Sequence, residues 1–305
     1  MYKYLIEKGI AMKKLLVVGS SGLLGNRIIE IGRNRFETFG TYSKHKVGGD
    51  NSYRLDSVDR DAVFMLVGEI SPDFVIDTHA LTNVDYCETH NEEAWAVNVE
   101  GSRNIAEASE KINAKYVFLS SDNVFDGKKE RYVETDKVNP LNYYGKTKAA
   151  VEEMLSSSDM DYLVIRTSVL YGVGGVGKAS FATWLLSKLR NGEQVRVVTD
   201  QRNNPTFTDS LVEFMLRLCD TGKKGVFHVA GKNCVSRYEF SLKIADMFGL
   251  DRNLILPTTS SMLGQIAERP EAVDLSVEKA ERISGLTVPD IGEGIGLFKR
   301  QFVIE

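Results

Sequence analysis

Two residues four apart, Tyr144 and Lys148, carry the sharpest chemical signal in this 305-residue chain. In Tyr144-Gly-Lys-Thr-Lys148 the spacing puts a phenol and an ammonium on one face of a helix. Free tyrosine titrates near pH 10, too high for acid chemistry near neutrality. An adjacent ammonium favours the phenolate, so Lys148 is expected to lower the Tyr144 pKa, at about 1.4 kcal/mol per unit. Tyr144 would then hand a proton to a carbonyl oxygen as its carbon is reduced. Pairs at this spacing also arise by chance on helices. A hydroxyl at Ser121, within Ser120-Ser121-Asp122-Asn123-Val124-Phe125-Asp126-Gly127, follows a strand-like run and can donate to the same oxygen. Ser120 reads more simply as a hydroxyl that caps the strand end.

A second cluster points to a dinucleotide. Gly19-Ser20-Ser21-Gly22-Leu23-Leu24-Gly25 closes a short apolar strand and opens a helix. Its glycines allow a tight turn and close approach of backbone to a pyrophosphate. The motif alone is weak, but it lies in the first strand–helix unit, where such a site belongs. The next strand ends in Gly40-Thr41-Tyr42-Ser43-Lys44, without the acid that an NAD ribose would use. Ser43 and Lys44 suit a 2′-phosphate instead, so NADP(H) is the expected cofactor; the alternative is a solvated basic loop. Asp56 is placed to accept from the adenine amino group or to cap its own turn. Ser57, Thr78, His79 and Ala80 complete the candidate cofactor contacts, and Lys148 is expected to hold the nicotinamide ribose as well as assist Tyr144.

These residues need a scaffold that presents strand ends side by side. The sequence supplies strands at Lys14–Val18, Phe36–Tyr42, Phe74–Asp77, Tyr116–Leu119 and Tyr162–Ile165. Helical spacing alternates with them at Leu23–Ile31, Arg60–Glu69, Glu92–Lys111 and Tyr144–Leu155. That alternation predicts an α/β fold with a doubly wound parallel sheet of Rossmann type. After Tyr171 a glycine-rich stretch, Gly172–Gly177, leads to helices at Phe181–Arg190, Leu211–Cys219 and Tyr238–Phe248, and to strands at Gln194–Val198 and Val226–Val229. The tail from Leu254 reads as loop-rich, with a helix near Val277–Ile283. The expected division is a cofactor domain over 12–170 that takes back about 206–230. Segments 171–205 and 231–305 form a smaller C-terminal substrate-binding lobe. Residues 1–11, ahead of Met12, read as an N-terminal extension.

Bulk properties narrow the class. A net charge of −4 gives no basic field for nucleic acid or anionic membrane. The three cysteines, Cys87, Cys219 and Cys234, lack metal or disulfide spacing, and the four histidines form no ligand motif, so no metal is expected. No apolar run reaches membrane-spanning length, and a reducing cytoplasm is the expected setting.

Taken together, these motifs make the chain resemble an extended short-chain dehydrogenase/reductase, and within that group the dTDP-4-dehydrorhamnose reductase family. The resemblance runs from Lys13 to about Asp290. It is carried by GSSGLLG, Val84-Asp85-Tyr86-Cys87-Glu88, Asn98-Val-Glu-Gly101, SSDNVFDG and Pro140-Leu-Asn-Tyr-Tyr-Gly-Lys-Thr-Lys148. Arg166-Thr-Ser-Val-Leu-Tyr-Gly172, Asp200-Gln201 with Pro205-Thr206, and Arg269-Pro270 add to it. The resemblance implies Ser121, Tyr144 and Lys148 as a catalytic triad, and a nucleotide-linked 4-keto-6-deoxy sugar as substrate. It implies Asp122, Asn123 and Val169 at the sugar, with Arg202 and Arg269 as diphosphate ligands or else surface ion pairs. Asn98 is either the orderer of a proton-relay water or an ordinary helix residue.

Asn123 and Val169 depart from the tyrosine and tryptophan usual in the family, and Glu271–Asp274 departs from its asparagine-serine pattern. Arg166–Gly172 and Gly225–Gly231 also resemble the regulatory beta subunit of methionine adenosyltransferase, which implies an alternative role as an NADP-binding partner protein. A sugar-nucleotide epimerase or dehydratase is a third reading. It is weakened because Asn123 follows Asp122 where dehydratases carry a second acid. A homodimer is an open expectation.

Overall fold

The computed structural model describes residues 12–46, 49, 51–176 and 179–304. The proposed extension at 1–11 and Gly177 of the glycine stretch lie outside the described residues. Seven parallel strands form the central sheet: β1 (Lys14–Val18), β2 (Glu37–Tyr42), β3 (Ser52–Arg54), β4 (Phe74–Asp77), β5 (Lys115–Ser121), β6 (Tyr162–Thr167) and β11 (Gly225–His228). Their spatial order is β11-β6-β5-β4-β1-β2-β3. The chain moves outward from β1 on one side, then returns and moves outward on the other from β4. The strand order therefore reverses between β1 and β4, and a crevice opens there at the carboxyl ends.

Alternation along the strands builds two apolar layers. Leu15, Val17 and Ile76 face helices α1 (Leu23–Gly32) and α8 (Thr208–Cys219), through Ile28, Leu211 and Met215. Leu16, Val18 and Val75 face α2 (Arg60–Ile70), α5 (Ser102–Lys111) and α6 (Tyr143–Ser156), through Val67, Ile105 and Leu155. Between these lie α3 (Val84–Thr89) and α4 (Asn91–Trp95). The single long helix expected over Glu92–Lys111 is interrupted by a π-helical turn at Ala96–Gly101 that joins α4 to α5. Asn98 inside that turn is bound to Leu81 backbone outside the helix, as described below.

The remaining elements gather a third apolar cluster. α7 (Phe181–Arg190), β8 (Val195–Val198), α9 (Arg237–Phe248) and β13 (Ile255–Thr258) pack through Leu185, Val197, Phe240, Ile244 and Ile255. Three two-stranded pairs tie this region together: β13 with β8, β10 (Thr206–Phe207) with β7 (Leu170–Tyr171), and β12 (Val235–Ser236) with β9 (Arg202–Asn203). The tail is not loop-rich throughout. After α10 (Glu278–Ser284) it forms α11 (Ile291–Ile304), with Ile295 and Phe298 fully buried in the third cluster. Glycines at 292, 294 and 296 conceal this helix in the sequence, because glycine is a poor helix former.

Candidate active site

β1 delivers the chain into the glycine turn. Gly19 has φ +83°, and a Cβ there would lie 3.0 Å from His79 backbone. A Cβ at Gly25 would lie 2.4 Å from the Gly19 carbonyl oxygen, so only glycine lets α1 start this close to the turn. Gly22 caps α1 without a side-chain acceptor, and the first helical turn holds no acidic residue. The leading amides of α1 and its partial positive charge are thereby presented to an anion. This cradle fits the diphosphate of a dinucleotide. The glycine-rich stretch after β7 rests on the same turn: Val176 N–H donates to Ser21 O at 2.9 Å and Gly175 N–H to Asn26 Oδ1 at 3.2 Å.

The other expected cofactor residues divide by position. Ser43 and Lys44 follow β2 directly and are exposed beside the turn, since β2 pairs with β1. Asp56 is exposed and accepts from Val58 N–H at 3.0 Å, the turn-capping option. Ser57 is buried, and its carbonyl accepts from Asn104 Nδ2 at 3.0 Å. Thr78 Oγ1 donates to Val18 O at 2.8 Å and ties the loop after β4 to the end of β1. His79 is held between the buried Asp77 carboxylate and, at 3.0 Å, Val97 O. Thr78, Ala80, Gly22, Leu23, Leu24 and Gly25 line the cleft described next. His79 supports that wall from behind. So does Asn98: its Oδ1 accepts from Leu81 N–H at 2.7 Å, while its Nδ2 donates to Leu81 O at 3.1 Å and Thr147 Oγ1 at 3.2 Å. With both amide groups engaged, Asn98 clamps the 78–82 loop to α6, a use that fits a π-helical turn at a functional site.

A cleft of about 580 Å³ runs along the carboxyl edge of the sheet, and Ser121 and Tyr144 face it. Ser121 ends β5; its Oγ donates to Asp122 Oδ1 at 3.0 Å and accepts from Asn123 N–H at 3.2 Å. Asn142 caps α6 through Gly145 N–H at 2.9 Å, and its Nδ2 reaches Asn123 Oδ1 at 3.0 Å, so α6 and the Ser121 loop are fixed to one another. Lys148 is buried beneath Tyr144 and donates to Leu119 O at 2.9 Å.

One electrostatic expectation is corrected here. Burial and the nearby Asp122 carboxylate raise the Tyr144 pKa, a side-chain hydrogen bond with Ser121 opposes them only in part, and Lys148 does not drive the phenol down. The ammonium stands 6.0 Å from the centre of the Tyr144 ring, too far to outweigh desolvation. Lys148 itself is pulled down to about 8 by burial, against the carboxylates of Asp77 and Glu152. Tyr144 is thus a held acid, and Lys148 a cation whose charge is sensitive to alkali.

The expected substrate residues lie near Ser121 and Tyr144. Asp122 is buried, receives the Ser168 hydroxyl as well as Ser121 and Asn123, and has its pKa raised by burial. Val169 lines the cleft with φ +20°, a strained value for a β-branched residue, and its carbonyl is pinned by Thr206 N–H at 2.9 Å. Arg202 and Arg269 both reach the cleft wall, but each is paired: Arg202 with Glu239 at 3.4 Å and Arg269 with Asp85 at 2.8 Å. Sequence reading missed Arg237, Phe181 and Gln201, which line the same cleft. Arg237 and Phe181 each begin a helix of the third cluster, and nothing in their local pattern marks them as cleft residues.

Comparison with known proteins agrees with this architecture. The chain is 29% identical to the dTDP-4-dehydrorhamnose reductase of Aggregatibacter actinomycetemcomitans, covering 92% of this chain and 96% of that protein. It is 30% identical to methionine adenosyltransferase 2 subunit beta of Bos taurus, covering 91% and 84%. A crystal structure of dTDP-4-dehydrorhamnose reductase from Bacillus anthracis in complex with NADP superposes with a TM-score of 0.86 at 29% identity, covering 96% of this chain and all of that one. The family profile described as RmlD substrate binding domain matches residues 12–303, and the chain belongs to that family.

Proposed function

We propose that the chain is an NADPH-dependent reductase of a nucleotide-linked 4-keto-6-deoxy sugar. The observation that carries this reading is that Ser121 and Tyr144 face one cleft whose other end is the glycine turn, with Lys148 buried behind them. Oxidoreductase chemistry with NAD(P) follows from the family and from that arrangement. The choice of the phosphorylated cofactor is supported by Ser43 and Lys44 and by the lack of an acid at the end of β2.

NADPH bound along the glycine turn supplies a hydride to the carbonyl carbon. The rest is done by side chains. Ser121 donates to the carbonyl oxygen and fixes its position. Tyr144, kept protonated by its surroundings, gives its proton to that oxygen as negative charge develops. Lys148, anchored to the Leu119 carbonyl, offers its remaining donors to the cofactor ribose. Val169 and Asn123 leave the sugar region without the aromatic faces usual in the family, which favours a sugar shape different from that of the family's usual substrate.

A second reading is kept by the likeness to the methionine adenosyltransferase beta subunit. A partner protein can carry an unused triad, and the altered 123 and 169 positions are compatible with that. A panel of nucleotide-linked 4-keto sugars, followed by NADPH consumption, separates the two. Saturable turnover of any member supports the reductase; an inert panel together with a stable complex with a partner enzyme rejects it.

A further inference from the structure

The cleft contains three guanidinium groups, and their charges are not equivalent. Arg202 is offset by Glu239, which also caps α9 by accepting from Ser236 N–H at 2.7 Å. Arg269 is offset by Asp85, whose carboxylate also accepts from Ile266 and Ala267 N–H. Arg237 has no carboxylate at ion-pair distance among the described residues; the buried Asp122 carboxylate acts on it only from farther off. Among the described residues its guanidinium makes no ion pair and no side-chain hydrogen bond; it lies 5.0 Å over the Phe181 ring. Burial lowers its pKa to about 10, the Asp122 carboxylate opposes that shift, and Arg269 adds repulsion. A half-buried cation next to a second cation, held against an aromatic face, is costly unless an anion completes it.

The place also matters. A second cavity, of about 520 Å³, adjoins the cleft and shares Gln201 and Arg269 with it. An anionic group lying between Arg237 and Arg269 would be internal to a ligand extending both ways. Its carbonyl-bearing part would reach Ser121 and Tyr144 in the cleft, and its other part would enter the cavity lined by Lys128, Ser260 and Gln265. A diphosphate has that character, whereas a terminal carboxylate does not. The planar fork of arginine suits phosphate oxygens.

Resting on the nucleotide-sugar reading, we propose that Arg237 is the principal diphosphate ligand of the substrate, with Arg269 as its weaker, pre-neutralised neighbour and Arg202 outside the contact. The substrate is therefore recognised through a cation that rises from the first turn of α9.

The test uses the full chain saturated with NADPH, so that the cofactor turn is filled, and titrates it calorimetrically with dTDP, UDP and inorganic pyrophosphate. Arg237→Met keeps an unbranched stem over Phe181 and removes the charge. It should weaken all three ligands by roughly 10- to 100-fold, leave NADPH affinity within about twofold, and be partly restored by Arg237→Lys. Arg202→Met should change little. Wild-type affinity for all three ligands in Arg237→Met overturns the assignment while leaving the reductase reading intact. Failure of the wild type to bind any of the three also overturns it. Arg237-dependent pyrophosphate binding with an inert sugar panel would uphold the anion site and reject the nucleotide-sugar reading instead.

Discussion

The Lys148 ammonium stands 6.0 Å from the centre of the Tyr144 ring and is anchored to the Leu119 carbonyl at 2.9 Å. It is therefore held by the strand end rather than by the phenol. Since burial brings the Lys148 pKa to about 8, the cation is present below that pH and is lost above it. Catalytic efficiency, kcat/KM, should be level on the acid side and decline about tenfold per pH unit once pH passes roughly 8. Lys148→Arg, which keeps its charge, should abolish the decline while lowering the plateau. A wild-type profile that stays flat to about pH 10 would contradict the role given to Lys148.

Packing makes a separate prediction at the third cluster. A Cβ at Gly294 would lie 2.3 Å from the buried Tyr171 hydroxyl, whereas one at Gly296 meets nothing within 4 Å. Both glycines lie in α11. Gly294→Ala should cost about 1–3 kcal/mol by overpacking. Gly296→Ala should add about 1 kcal/mol through helix propensity. Chemical denaturation of the two variants measures this, and equal effects would show that α11 does not dock as described.

These glycines also mark where the sequence was legible and where it was not. The strand–helix alternation reads directly because each buried parallel strand is a short apolar run, as in Leu15–Val18. The glycine turn and the helix that carries Tyr144 and Lys148 read directly because both depend on local spacing. α11 was hidden by three glycines, of which Gly294 is the one its close approach to Tyr171 requires. The break at Ala96–Gly101 was hidden because it depends on Asn98 binding Leu81, seventeen residues away. Arg237 was missed because its place at the cleft is a tertiary fact, as are the ion pairs of Arg202 with Glu239 and of Arg269 with Asp85. The Tyr144 pKa was misjudged for a similar reason: helix spacing reveals Lys148 but not the burial or the Asp122 carboxylate that prevail.

Cofactor choice rests on the exposed pair after β2. Lys44→Ala should reduce NADPH affinity by about 1–3 kcal/mol, the range for hydrogen bonds to a charged group. Raised salt should shrink the difference, because an exposed charge is screened. NADH affinity should hardly move. Titration calorimetry with both cofactors reads the two effects separately, and equal losses would remove Lys44 from the 2′-phosphate.

The reductase account is tested most directly by comparing wild type with Tyr144→Phe across the panel of nucleotide-linked 4-keto sugars at saturating NADPH. The variant deletes one hydroxyl from a cleft otherwise unchanged. The account predicts saturable NADPH oxidation by the wild type with at least one sugar, a fall of roughly 10²–10⁴ in kcat for Tyr144→Phe, and unchanged NADPH affinity. Equal rates in the two proteins, or no turnover of any sugar by the wild type, would contradict it.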